Sequence, residues 1–182
     1  MNLKGFFSEH LDKIIIASLV TACLIFFAVF SIKGISDKKE RNEVMQEAAA
    51  AGQISGQGTK LIAYNEDSNE FCTEYVLNSL KTSDPSEVGG YVRYRMANEE
   101  AGNYCDAEGN TVKTYCETLY VTIIDAQNNE AVASDVFRAD LPESKSISPS
   151  AEEYTFELSS HTLTNVPYWV ESEWLAYLEN RR

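Results

Sequence analysis

Cys105 and Cys116 bracket the turn-rich run CDAEGNTVKTYC, and this spacing suits a disulfide closing a loop between two strands. In an oxidising compartment such a bridge would stabilise the fold by about 2.5–3 kcal/mol, by restricting the unfolded chain. Cys72 would be left to pair elsewhere or stay free. The three cysteines beyond the N-terminal region allow three single pairings, and spacing alone does not choose among them. No CxxC occurs, so neither a zinc site nor a dithiol redox motif is expected. Asp106-Ala107-Glu108-Gly109-Asn110 is dense in oxygen ligands but lacks the ligand order of a Ca²⁺ loop, and it reads as a turn. Of the two histidines, His10 lies near the N-terminus and His161 follows two serines, with no GxSxG beside them. GxGxxG, GxxxxGK[ST] and HExxH are also missing. These observations point away from an enzyme, and no cofactor or metal is expected.

Both tryptophans fall in the run Val166-Pro167-Tyr168-Trp169-Val170-Glu171-Ser172-Glu173-Trp174. Such aromatics dominate binding hot spots, which makes Tyr168, Trp169 and Trp174 candidate partner contacts. Side chains of the same size also plug β-domain cores, and both readings stay open. Ser18 and Ala22 form a small-xxx-small pair through which another helix could approach closely.

The elements that would position these groups are mostly strands. In Gly90–Met96, Val92, Tyr94 and Met96 share one face, while Tyr91, Arg93 and Arg95 share the other. Cys116–Asp125 alternates likewise, Leu119, Val121 and Ile123 against Tyr120, Thr122 and Ile124. A turn at 126–130 leads to a returning strand over Ala131–Ala139, and Thr155–Ser159 supplies another. Ser68–Leu80 spaces Phe71, Tyr75, Val76 and Leu80 as a short helix would, and Val170–Glu179 reads as a short closing helix. Together these predict an antiparallel sandwich or small barrel with one or two short helices.

Ile14–Ile32 is a run of nineteen residues without a charge. A helix of that length reaches about 28 Å, close to the hydrocarbon thickness of a bilayer. The sequence-based expectation is therefore a single-pass transmembrane helix plus a mainly β soluble domain. It divides into an N-terminal tail over 1–13, the span over 14–32, a helical stalk over 33–51, a Gly-rich linker over 52–59 and an acidic domain over 60–182. The run is too long for the apolar region of a signal peptide and no Ala-x-Ala pattern follows it, so an uncleaved anchor is expected.

The charges segregate along the chain. Of 15 Lys and Arg and 28 Asp and Glu, six and four respectively occur through Arg41, leaving nine bases against 24 acids from Asn42 onward. A domain so acidic is repelled by nucleic acid and by anionic lipid. Its surface would be well solvated, and could also dock a basic partner or hold Ca²⁺ loosely. Basic residues flanking the run, two before and four after, favour a cytoplasmic C-terminal side. The short tail, the acidic β-rich bulk and the cysteines favour the opposite arrangement, N-terminus inside and domain outside, and that is the orientation expected.

Met1-Asn2-Leu3-Lys4-Gly5-Phe6 resembles the short basic leader and Gly–Phe cleavage point of type IV pilins, and the layout of apolar helix, stalk and β-domain is similar. That family carries Glu at the fifth mature position. Here, counting from Phe6, Glu9 stands fourth, and Asp12 and Lys13 interrupt the apolar stretch. The resemblance implies cleavage after Gly5 and a filament. The function expected first is a non-catalytic, membrane-anchored accessory or structural subunit of a larger membrane assembly, its β-rich domain meeting other subunits. A pilin-like filament subunit and a ligand-binding or sensor ectodomain are the alternatives, though a small-molecule ligand is not favoured.

Overall fold

The computed structural model describes residues 39–142 and 151–181. A helix through 39–50, α1, leads into strands β1 (Lys60–Asn65) and β2 (Glu70–Cys72). A single 3-10 turn at Pro85–Glu87 precedes β3 (Val88–Cys105). β4 (Thr111–Asp125), β5 (Glu130–Arg138), β6 (Glu153–Phe156) and the helix α2 (Ser160–Arg181) follow.

All six strands join one sheet in the order β2-β1-β3-β4-β5. The long β3–β4 hairpin is its spine, paired from Gly90↔Asp125 out to Cys105↔Thr111. β3 occupies one edge of β4 along its whole length. The other edge is shared: β5 pairs antiparallel with Thr118–Asp125, and β6 runs parallel to Lys113–Cys116. Burial along β4 changes phase at this handover. Val112, Thr114 and Cys116 are buried on one side of it, and Leu119, Val121 and Ile123 on the other, with Thr118 buried between.

The second layer is a helix, not a sheet. α2 lays Val166, Val170 and Trp174, at i, i+4 and i+8, onto Leu61, Ala63, Val92, Leu119, Val121 and Ile123. Ser159 caps it, its Oγ accepting from Thr162 N–H at 3.0 Å. A sandwich or barrel is therefore not the architecture. The sheet is mixed, because β1 runs parallel to β3 and β6 parallel to β4. The closing helix is 22 residues long rather than short. Its first half escapes a sequence reading because Pro167 sits inside it, removing an N–H and one helical hydrogen bond. The apolar stripe compensates for that loss. The helix expected over Ser68–Leu80 is absent for a different reason. Phe71 belongs with Ile62 and Tyr91 on one side of the sheet, whereas Val76 and Leu80 join the core on the other. A single helical face cannot serve both.

The expected membrane span, 14–32, lies outside the described residues, as do Ser18 and Ala22. Among the described residues no helix is long and apolar enough to cross a membrane. α2 has the length but carries Glu171, Glu173, Glu179, Asn180 and Arg181. The single-pass anchor, and the location inferred from it, thus find no support in the structure. Residues 42–50, expected as part of a stalk, pack within the domain: Met45 is fully buried on Ile62 and Val88.

The disulfide is also corrected, since Cys72, Cys105 and Cys116 are free thiols. Cys105 stands opposite Thr111, while Cys116 stands opposite Glu99, five residues further along β4. At strand rise that is about 17 Å, far beyond the few ångströms a disulfide spans. Cys105 is exposed and Cys116 is buried.

The tightest packing lies where α2 crosses the start of β3. An added Cβ on Gly90 would meet Trp174 Cη2 and the Ile124 carbonyl oxygen, each at 2.7 Å. One on Gly58 would meet the Glu87 oxygen at 1.8 Å. Trp174 Nε1 donates to the Thr59 carbonyl at 2.8 Å. Within the expected loose linker, Gly58 instead lets the chain press against Glu87 and Gly89, and Gly56 lies against Gln127. Gly90→Ala should therefore cost about 1–3 kcal/mol in denaturant unfolding, and Trp174→Ala about 3–5 kcal/mol. A Gly90→Ala variant as stable as the parent would refute this seat. Thiol titration of the native chain should label Cys105 rapidly, a phase lost in Cys105→Ser. Cys116 should react only on unfolding, and reductant should leave the melting temperature unchanged.

Candidate functional site

The alternation that sends Val92, Tyr94 and Met96 toward α2 turns Tyr91, Arg93 and Arg95 to the opposite face of the sheet. Register sets Tyr91 beside Ile124, Arg93 beside Thr122 and Arg95 beside Tyr120. On the next strand Ser134 lies opposite Thr122, and Val136 opposite Tyr120. α1 covers one end of this face, where Met45, Ile62 and Val88 cluster with Ile54, Phe71 and Tyr91 around them. Beyond it the face stays open, and Val136 is 52% exposed.

Next to the covered end is a hollow of about 200 Å³ lined by Tyr64, Phe71, Tyr91, Arg93, Ile124 and Asn129. Its rings are ordered by one another: Tyr64 meets Phe71 edge-on at 5.2 Å, and Phe71 lies 6.0 Å from Tyr91. Arg93 Nε pairs with Glu66 Oε1 at 3.0 Å, and the Arg93 side chain remains 47% exposed. The Arg95 guanidinium stacks 3.9 Å above the centre of the Tyr120 ring. The Tyr120 hydroxyl donates to Glu99. Ser134 Oγ donates to Thr122 Oγ1 at 3.1 Å, tying β5 to β4 across the same face.

These contacts shift two phenols. The hydrogen bond to Glu99 is the main cause holding the Tyr120 hydroxyl above the ordinary 10.0. Burial does the same for Tyr91. Both rings therefore stay neutral donors at physiological pH.

Tyr168, Trp169 and Trp174, adjacent in sequence, separate in space because each helical step rotates the side chain by about 100°. Trp174 is fully buried, Trp169 is partly buried edge-on to Phe137 at 5.7 Å, and Tyr168 is 58% exposed. His161 lies in the first turn of α2, its Nε2 3.1 Å from Asn165 Nδ2. Asp106 is consumed by its own turn, accepting from Glu108 N–H at 3.0 Å and Asn110 N–H at 2.8 Å. Among the described residues no group of three His, Cys, Asp or Glu side chains could hold a metal. A third polar group, Cys72 Sγ 3.3 Å from the Tyr94 hydroxyl, which donates to Glu74 Oε2 at 2.5 Å, is built into the core side.

The residues of the open face were legible as one side of two strands. Their exposure was not, since a sandwich would have buried them under a second sheet. Compared with protein-family models, curated proteins and solved structures, the chain finds no match.

Glu99→Gln removes the carboxylate that holds the Tyr120 proton. The Tyr120 pKa should then fall toward 10.0, seen as earlier growth of tyrosinate absorbance at 295 nm. Tyr120→Phe should delete that late component, and titration curves identical to the parent's would refute the assignment.

Proposed function

We propose that the domain is a non-catalytic accessory subunit of a larger protein assembly and that it docks its partner through the open face of the sheet. One observation carries this reading. α2 seals one face of the sheet, whereas α1 covers only one end of the other. The other presents Tyr91, Arg93, Arg95 and Tyr120 beside Val136. Tyr and Arg are the residue types most enriched at binding hot spots. They are also held in place before any partner arrives, by a stacked pair, an ion pair and cross-strand hydrogen bonds, which reduces the ordering cost of association. The hollow beside them is smaller than the roughly 300–1,000 Å³ of ordinary small-molecule sites, so it suits a side chain better than a metabolite.

The test is the native size of the full chain in gently extracted cells. Parent protein should migrate within an assembly much larger than the monomer. Arg93→Glu combined with Arg95→Glu should release it to monomer mass while the purified variant keeps the parent's melting temperature. A parent that runs alone, or a variant that stays in the assembly, would overturn the reading.

A further inference from the structure

We infer that the partner segment is acidic and extended, with one large apolar side chain, an inference that rests on the open face being the docking surface. The first argument is charge. From Asn42 onward the chain carries 24 acids against nine bases. Yet three of those bases, Arg93, Arg95 and Arg138, occupy outward positions on β3 and β5, the two strands that flank β4. Among the described residues no carboxylate stands in the outward rows of Tyr91, Arg93 and Arg95 and their partners on β4 and β5; Asp135, in the row of Tyr94 and Val121, belongs to the opposite alternation. Glu66 and Glu99 stand at the margins, where each already engages a side chain of the face. The face is thus a local excess of cations on a strongly anionic domain. A basic segment would be drawn to the acidic remainder and repelled here, while an acidic one is steered to this face alone.

The second argument is chemistry. Arginine binds carboxylates with a planar fork, and a guanidinium stacked on a ring keeps its in-plane N–H donors for that purpose. Arg95 over Tyr120 has this arrangement. The hollow lined by Tyr64, Phe71 and Tyr91 adjoins Arg93, and Arg95 lies two residues further along the same strand, about 7 Å away. An extended partner repeats its side chains at that same two-residue interval. An apolar residue seated in the hollow would therefore bring a carboxylate two positions on to Arg95.

Two short capped peptides, GSFADADGS and its mirror in charge GSFAKAKGS, test this by titration into isotope-labelled full chain observed by NMR. The acidic peptide should perturb Tyr91, Arg93, Arg95 and Tyr120 saturably, and its affinity should drop at least tenfold when Arg93→Glu and Arg95→Glu are combined. The basic peptide should bind that double variant better than the parent. Equal binding of both peptides to the parent, or perturbation confined to other surfaces, overturns the acidic partner. So does no binding of either peptide. If the same substitutions still release the chain from its native assembly, the docking face stands and only the partner's chemistry is wrong; if they do not, both readings fall.

Discussion

The fold depends on how closely one indole approaches one stretch of backbone. Trp174 can lie flat on the sheet only because Gly90 has no Cβ to meet its ring. Trp174 Nε1 then reaches the Thr59 carbonyl, pinning residues 56–59 beneath the helix. Gly58 in turn lets that segment touch Glu87. Because Lys60 pairs with Val88 and Leu61 with Gly90, Gly89 is the extra residue of a bulge between them. Helix, strap and first strand are thus set by one contact. The register of β1 on β3, and so the spacing of Tyr64 and Tyr91 around the hollow, follows from it.

The far end of α2 is secured electrostatically. Asp125, the last residue of β4, is almost fully buried, and such a carboxylate is tolerated only when its lone pairs are used. It accepts from Gln127 N–H at 3.0 Å and from the Tyr177 hydroxyl at 2.6 Å, and Arg181 approaches it at 3.6 Å. Arg181 also donates to the Gly56 carbonyl at 3.1 Å. The same hydrogen bond to Asp125 holds the Tyr177 phenol above its ordinary value. That contribution is complete below about pH 10, the unfolded tyrosine pKa, and is lost only as pH rises through the higher folded value.

How far the sequence could be read depended on whether a pattern was local. Alternation in 90–96 and 116–125 located the spine of the sheet and both of its faces. The returning strand after the Asn128-Asn129 turn was equally plain. What failed was long-range. Nothing local tells Leu61 to run parallel to β3, or separates Phe71 from Val76, because those assignments depend on which layer covers which face. Cys105 and Cys116 looked like loop partners until the hairpin register moved them apart. The aromatic run 166–174 was noticed for the right chemistry, but a helix distributes it between core and surface. The candidate site was half visible: its residues could be named as a face, while its openness required knowing that the second layer is one helix.

A partner could also be met at a strand edge, and the blunting of two edges is what favours the face in the proposed reading. β5 offers its outer edge over nine residues, but within it the Val136 N–H is taken by its own neighbour, Asp135 Oδ1, at 2.8 Å. The strand is further interrupted by a register shift opposite Ile123 and Ile124. The opposite edge strand, β2, is three residues long. Short, bulged or self-capped edges resist strand addition. With β2 and β5 blunted and one face sealed by α2, the remaining face carries the exposed side chains on which the proposed docking rests. There, the strand that places Val92 and Tyr94 in the core necessarily turns Arg93 and Arg95 outward, so the packing that stabilises the domain also presents the proposed docking surface.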